Sequence, residues 1–204
     1  MKVKIKKEGK VKEFKLINSW DDVNLETWTK LLEYSKKTNT DEAIETITTL
    51  SNIPKDLIKE LSLYNVVLMM NKIAELQAVK DNALKRIIEI NGVEYGFHPD
   101  LDLITLGEYA DIESFIKFGI YKRLPELMAI LYRPITDIEN DVYSIGAYDG
   151  NIKVRAEQMK KMSAEQVQSV LVFFWRFVRI LLKVIPFCLI QQSKKGVKKL
   201  KMET

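Results

Sequence analysis

Residues 84–97, LKRIIEINGVEYGF, carry the strongest local signal in this chain of 204 residues. Asn91 and Gly92 stand between two apolar runs that are rich in β-branched side chains. An Asn-Gly pair readily adopts the positive φ angles that a two-residue hairpin turn requires. The stretch therefore predicts a tight β-hairpin, so the fold must combine strands with the helical patterns found elsewhere.

The N-terminal segment has the alternation of a second hairpin. Residues 2–7 and 11–17 alternate between polar and apolar side chains on either side of Gly9, which is typical of two paired strands. In this prediction Val3, Ile5 and Val11 face the same side.

Residues 19–34, SWDDVNLETWTKLLEY, predict the first helix. Leu25, Trp28, Leu31 and Leu32 fall on one helical face, and Asn24 is suited to the N-cap. We interpret Trp28 as a core residue packed against a helix of residues 63–77, and the preceding Asp21 and Asp22 as turn and cap residues. A carboxylate pair for acid/base catalysis would need a cleft and partner groups, which the sequence does not indicate.

Most of the remaining sequence has apolar residues spaced as in amphipathic helices. Helices are predicted from residue 41, over 54–61 and over 63–79, the last from the helical spacing of Leu63, Val66, Val67, Met70, Ile73, Ala74 and Gln77. Met69 and Met70 leave two alternatives open, an adaptable binding face or core packing, and core packing is favoured. Thr105 and Glu108 form a capping box that opens another helix. A short helix starts at Pro125, and residues 134–155 are expected to be a long loop with at most one small hairpin.

A second capping box, Ser163 to Gln166, opens the longest predicted helix, over about 163–185. The stretch 170–190 is apolar apart from three cations and Pro186. The cations cost roughly +8 to +10 kcal/mol in a bilayer, against about −4 to −9 kcal/mol from the apolar residues, so a membrane span is unfavourable. Three alternatives stay open: a central core helix, half of a protein interface and, least favoured, a membrane helix. The interface prediction names Phe173, Phe174, Phe177 and Leu181 as contacts, with Arg176, Arg179 and Lys183 at the rim.

The predicted fold class is therefore α+β: a predominantly helical single domain with an N-terminal β-hairpin, an Asn-Gly β-hairpin near 84–97 and a long apolar C-terminal helix. The domain is expected over 1–193, followed by a basic tail over 194–204. Residues 1–15 hold seven Lys and two Glu, and residues 194–204 hold five Lys and one Glu. Such basic ends can contact nucleic acid or an acidic partner, or can simply be solvated. A single cysteine, Cys188, allows no internal disulfide and favours a reducing, intracellular origin.

No motif in the sequence has all the residues that a catalytic or metal-binding site would need. His98 is the only histidine, and its His-Pro-Asp tripeptide follows a hairpin instead of linking two helices as in J-domain co-chaperones. Asp137–Asp141 begins like a calcium-binding loop, but Val142 and Tyr148 stand where Gly and Glu are required. We predict no catalytic, cofactor-binding or metal-binding residues, and no enzymatic activity.

Several segments in order are similar to those of small proteins of tailed phages of Bacteroidetes. They are the basic N-terminal hairpin, SWDDVNLETWTKLLEY, ITTLSNIPKDLIKELSLYNV, INGVEY, LITLGEYADIESF and LPELMAILYRPI. The first third also resembles phage tail assembly chaperones, in which a short β segment precedes a leucine-rich helix. The similarity covers about residues 1–135 and rests on helix starts and turns.

The resemblance implies a non-enzymatic role in tail or virion assembly, through binding to tail, portal or connector proteins in the host cytoplasm. The alternative is a structural virion component, such as a head-tail connector or ring subunit or an internal cargo protein ejected with DNA. A homo-oligomer, weak contact of the basic termini with nucleic acid, and an unrelated host-directed enzyme or DNA-binding protein stay open as further alternatives. No cofactor is implied.

Overall fold

The computed structural model describes residues 1–7, 10–78, 83–140, 142–175 and 177–179, which form one mixed α and β domain. The strands are β1 (Lys2–Lys7), β2 (Lys10–Lys15), β3 (Ile87–Ile90), β4 (Val93–Phe97), β5 (Tyr132–Glu139) and β6 (Val142–Ile145). The helices are α1 (Leu25–Tyr34), α2 (Asn39–Leu50), α3 (Lys55–Lys59), α4 (Leu63–Ala78), α5 (Leu106–Phe118), α6 (Leu124–Leu131), α7 (Ile152–Met159) and α8 (164–175 and 177–179). Short 3-10 turns cover Trp20–Asp22, Leu101–Leu103 and Ile120–Arg123.

The N-terminal hairpin of β1 and β2 is confirmed, with one correction to its inward face. Val3 lies opposite Phe14, whereas Val11 lies opposite Lys6. Because opposed residues share a side of the ladder, Phe14 and not Val11 joins Val3 on the inward face. The chain after β2 is fixed to the end of α2, since Leu16 bridges to Ser51.

Helix α1 begins as predicted. The Asn24 side chain accepts a hydrogen bond from the Thr27 N–H at 2.8 Å, and Trp28 is buried. The predicted neighbour of Trp28 needs correction, because α1 packs mainly on α2, α6 and the turn Ile120–Arg123, while α4 packs on α2. The aspartates Asp21 and Asp22 lie in the 3-10 turn that precedes the cap.

The Asn-Gly hairpin is confirmed, with φ angles of 54° at Asn91 and 77° at Gly92. It forms half of a four-stranded antiparallel sheet in the order β3-β4-β5-β6. The long loop predicted over 134–155 is wrong, because this range contains most of β5, all of β6 and the first half of α7. The small hairpin that the prediction allowed there is present, since β5 and β6 pair antiparallel. Pro134 is tolerated within β5 because its carbonyl still accepts the Gly146 N–H at 2.9 Å, and a register shift follows between Ile135 and Asp137.

Helix α6 lies at the centre of the core. All its apolar side chains are buried: Leu124, Leu127, Met128, Ala129, Ile130 and Leu131. It packs on α7, α1, α5 and β5. Phe97 and Tyr132 then meet edge to face at 5.3 Å where β4 and β5 pair. The sheet and the helices therefore share one hydrophobic core.

Helix α8 begins at the predicted capping box, in which Ser163 N–H donates to Gln166 and Gln166 N–H donates to Ser163. The expected long apolar helix is not found among the described residues. The described part of α8 is two-sided, with Val170 and Phe174 buried and Val172 exposed, because only one of its sides packs on the core. Residues 180–204, including the predicted tail, lie outside the described range. Within that range no helix is long and apolar enough to cross a membrane.

Candidate functional site

A buried polar cluster joins α5 to the four-stranded sheet. Glu108 in the first turn of α5 is fully buried, and its Oε1 atom lies 3.0 Å from Nη1 of Arg133 on β5. Its other carboxylate oxygen, Oε2, accepts hydrogen bonds from the Thr105 N–H at 2.8 Å and the Thr105 hydroxyl at 2.6 Å. His98, just after β4, places Nε2 3.8 Å from Glu108 Oε1. One carboxylate therefore caps a helix and pairs with the sheet.

Burial controls the protonation of this cluster. Desolvation lowers the pKa of His98, and the nearby Arg133 cation adds to this effect, while Glu108 opposes it. His98 is therefore neutral at pH 7. Burial also lowers the pKa of Arg133, with Glu108 again acting in the opposite direction.

A neighbouring pair extends the polar contacts on α5. The Tyr148 hydroxyl donates to the Asp111 carboxylate, and the Tyr148 ring passes close to Gly107, where an added Cβ would come within 3.3 Å of the ring. Burial and the Asp111 carboxylate raise the pKa of Tyr148 well above its usual value. Together with Glu108, this pair holds α5 against the sheet and the segment after β6, so we assign the cluster a structural role.

The residues predicted to form an interface on α8 differ in how deeply their side chains are buried. Phe174 is fully buried in the core, so its side chain is not available at the surface. Phe173 is partly exposed and stacks edge to face on Phe97 at 5.6 Å. Phe177 is half-buried and Arg179 is exposed. The side chains of Arg176, Leu181 and Lys183 lie outside the described residues, and the interface itself stays a prediction.

The most extensive apolar surface on a single helix that we identify is on α4. Leu63, Tyr64, Val67 and Leu68 are 78%, 70%, 46% and 40% exposed. Their spacing of one, four and five residues places them side by side over about two turns. We call these four residues the α4 face.

Sequence analysis grouped Leu63 and Val67 with Ile73 by helical spacing, and the structure shows that the group does not share one degree of burial. Among the described side chains of α4, Met69 and Ile73 are buried, and the helix packs on α2. The helical spacing did not predict burial because α4 is apolar around its circumference from Leu63 to Met70, apart from Asn65. A helix of this kind has no polar side to reveal its orientation, although its continuous apolar composition could have indicated a second contact surface.

The described residues give no evidence for a metal-binding site. They contain no group of three or more His, Cys, Asp or Glu side chains that could hold a metal ion. The calcium-like stretch begins within β5, where Asp137 and Glu139 are strand residues. It therefore does not form a calcium loop.

The α4 face can interact with other groups mainly through apolar packing, which is suited to contact with another protein segment. Comparison with protein-family models, with curated proteins and with solved structures gives no match to this chain.

Proposed function

We propose that this chain is a non-enzymatic protein of a tailed phage that binds another phage protein during tail or virion assembly in the host cytoplasm. The α4 face receives an apolar helical segment of that protein. The observation that carries the binding role is the side-by-side exposure of four large apolar side chains on helix α4, whereas the phage context comes from the resemblance of residues 1–135. Soluble monomers rarely leave such surfaces without a use.

The charge pattern around the α4 face specifies the chemistry of its partner. Residues 61–71 contain no charged side chain, so a charged partner surface would lose its hydration without gaining an ion pair. An amphipathic helix that presents apolar residues three and four positions apart fits this surface. Tyr64 and Leu63 are the most exposed of the four and are suited to act as anchors.

The size of the α4 face favours a transient complex over a permanent dimer. Stable interfaces contain about 20–30 residues on each side and bury about 1,200–2,000 Å² in total. Four side chains over two helical turns fall well below that range. A contact of this size forms and dissociates readily, as an assembly factor requires.

The test uses the structural proteins of the phage particle, each purified and mixed with the full chain. The double variant Val67→Glu/Leu68→Lys keeps the net charge and replaces the centre of the α4 face. The matched control is Val142→Lys/Val154→Glu, because both valines are exposed elsewhere on the surface. We expect one tail, portal or connector protein to bind, the first variant to lose about tenfold or more in affinity, and the control to keep it.

Three outcomes would contradict the proposal. Binding to none of the structural proteins would do so, and so would equal affinities for the two double variants. A stable dimer of the chain that dissociates only in the first variant would replace the partner with a second copy. Mass spectrometry of purified particles then decides the role: absence of the chain supports an assembly factor, and abundance supports the alternative of a virion component.

A further inference from the structure

The N-terminal hairpin is rich in lysine on both of its sides, and on its outer side the lysines follow one another without interruption along β1. Residues opposed in an antiparallel ladder point to the same side, and the register pairs Lys2 with Lys15, Lys4 with Glu13 and Lys6 with Val11. Four exposed lysines therefore share one side of the hairpin, which we call the lysine face: Lys2, Lys4, Lys6 and Lys15. The opposite side carries Val3, Ile5 and Phe14, which pack on the core, and it also carries Lys7, Lys10 and Lys12 toward the turn.

Little of this charge is neutralised within the chain. Glu13 is the only carboxylate on this side of the described hairpin, and it pairs with Lys2 at 2.7 Å. Lys4, Lys6 and Lys15 form no ion pair with the part of the chain that the structure describes. Lysines recur at every second residue of β1, so their attachment points follow each other at about 6.8 Å.

Protection of a strand edge accounts for lysine in both strands of this two-stranded sheet, but it does not account for lysines that lie directly opposite each other. Lysines on edge strands discourage unwanted strand pairing. However, like charges directly opposite each other, as in Lys2 and Lys15, destabilise the hairpin that carries them. A lysine face that lowers the stability of its own hairpin is consistent with a surface that binds a polyanion.

The composition of the lysine face distinguishes between two kinds of polyanion. Protein interfaces are depleted in lysine and enriched in aromatic side chains, and the outer side has Val11 as its single apolar residue. Phosphate backbones are contacted by lysine as a point charge. Aromatic groups that would stack on bases do not occur among the residues of this side. We propose that the lysine face binds the phosphate backbone of double-stranded DNA without sequence preference, independently of the α4 face.

The probe is a fluorescent duplex of mixed sequence, about 20 base pairs long, titrated with the full chain at several salt concentrations. The variant Lys4→Gln/Lys6→Gln removes two charges from the lysine face. Lys59→Gln/Lys72→Gln is the matched control, because it removes the same charge from exposed positions on α3 and α4. We expect the first variant to bind roughly tenfold or more weakly, with a salt slope smaller by about 2, since each lysine contact contributes about 0.9.

Glu13→Gln provides the opposite test, because it removes the negative charge from the same side and should tighten binding several-fold. Circular dichroism and thermal unfolding verify that the variants are folded. The proposal is overturned by an absence of binding at low salt, by equal losses in the two double variants, or by an unchanged affinity in Glu13→Gln. It is also overturned if Lys198→Gln/Lys199→Gln alone abolishes binding. Tighter, lysine-dependent binding of poly-glutamate than of DNA would instead identify an acidic protein as the partner.

Discussion

Glu108 and Arg133 form a buried ion pair, with 3.0 Å between Oε1 and Nη1, that joins the first turn of α5 to strand β5. Removing one member leaves the other charge buried without its partner, so Glu108→Gln or Arg133→Met should each cost about 3–5 kcal/mol of unfolding free energy. Denaturant unfolding measures this. The matched control is Glu126→Gln, which breaks the exposed pair with Arg123 and should cost at most about 1 kcal/mol. Equal costs for the buried and exposed pairs would contradict this assignment.

His98 should make stability depend on pH in a predictable direction. Its folded-state pKa is lowered below the ordinary value of 6.5, mainly by desolvation. Protonation therefore favours the unfolded chain, so the contribution is fully present above about pH 6.5 and is lost as pH falls toward the folded-state pKa. Because His98 is the only histidine, few other groups titrate between pH 7.5 and 5.5. The unfolding free energy should fall over this range, and the slope should be flatter in His98→Asn; identical slopes would be inconsistent with a neutral, buried His98.

Trp28 should behave as a core residue. It is 8% exposed, and Trp28→Ala should cost about 3–5 kcal/mol, as truncation of buried aromatic side chains does. Asp21→Ala, in the exposed turn before the helix, should cost about 1 kcal/mol at most. Chemical denaturation of the two variants provides the comparison. An Asp21 variant that keeps full stability but loses binding to its partner would show that this turn is a functional site.

Gly96 should not tolerate a side chain. A Cβ added there would lie 2.5 Å from Cε2 of Tyr143, and the Tyr143 hydroxyl donates to the Phe97 carbonyl at 2.7 Å. Gly96→Ala must displace this ring, so we expect a loss of about 1–3 kcal/mol. At Gly146 the nearest atom is 3.8 Å from an added Cβ, and Gly146→Ala should have a much smaller effect. Thermal unfolding of both variants tests the close approach, which a nearly neutral Gly96→Ala would refute.

The α4 helix shows why burial was harder to predict than helix formation. The sequence identifies the helix, but the side that it buries, which includes Met69 and Ile73, depends on packing against α2. The buried polar cluster could not be predicted for the same reason. Glu108 was recognised as a capping residue, whereas its pairing with Arg133 joins residues 25 positions apart and has no local signature.

Strand β5 is a third example. Arg133-Pro134 reads as the end of a helix and the start of a loop, because proline lacks an N–H and constrains the residue before it. In the structure Pro134 occupies a strand, since its carbonyl is paired with Gly146 and its neighbours pair with β4. Pairing with two distant segments, β4 and β6, defines the strand at this position, and the local pattern shows neither of them.

Features that depend on only a few neighbouring residues could be predicted from the amino-acid sequence. These are the turn at Asn91 and Gly92, the caps at Asn24, Thr105 and Ser163, and the alternation of the N-terminal strands. Turn stereochemistry and cap hydrogen bonds depend on adjacent residues, so their patterns can be read directly. The tertiary structure decided the exposed side of α4, the strand at Pro134 and the pairing of Glu108 with Arg133. Burial and long-range pairing depend on which distant segments meet, and the same local pattern is compatible with several such arrangements.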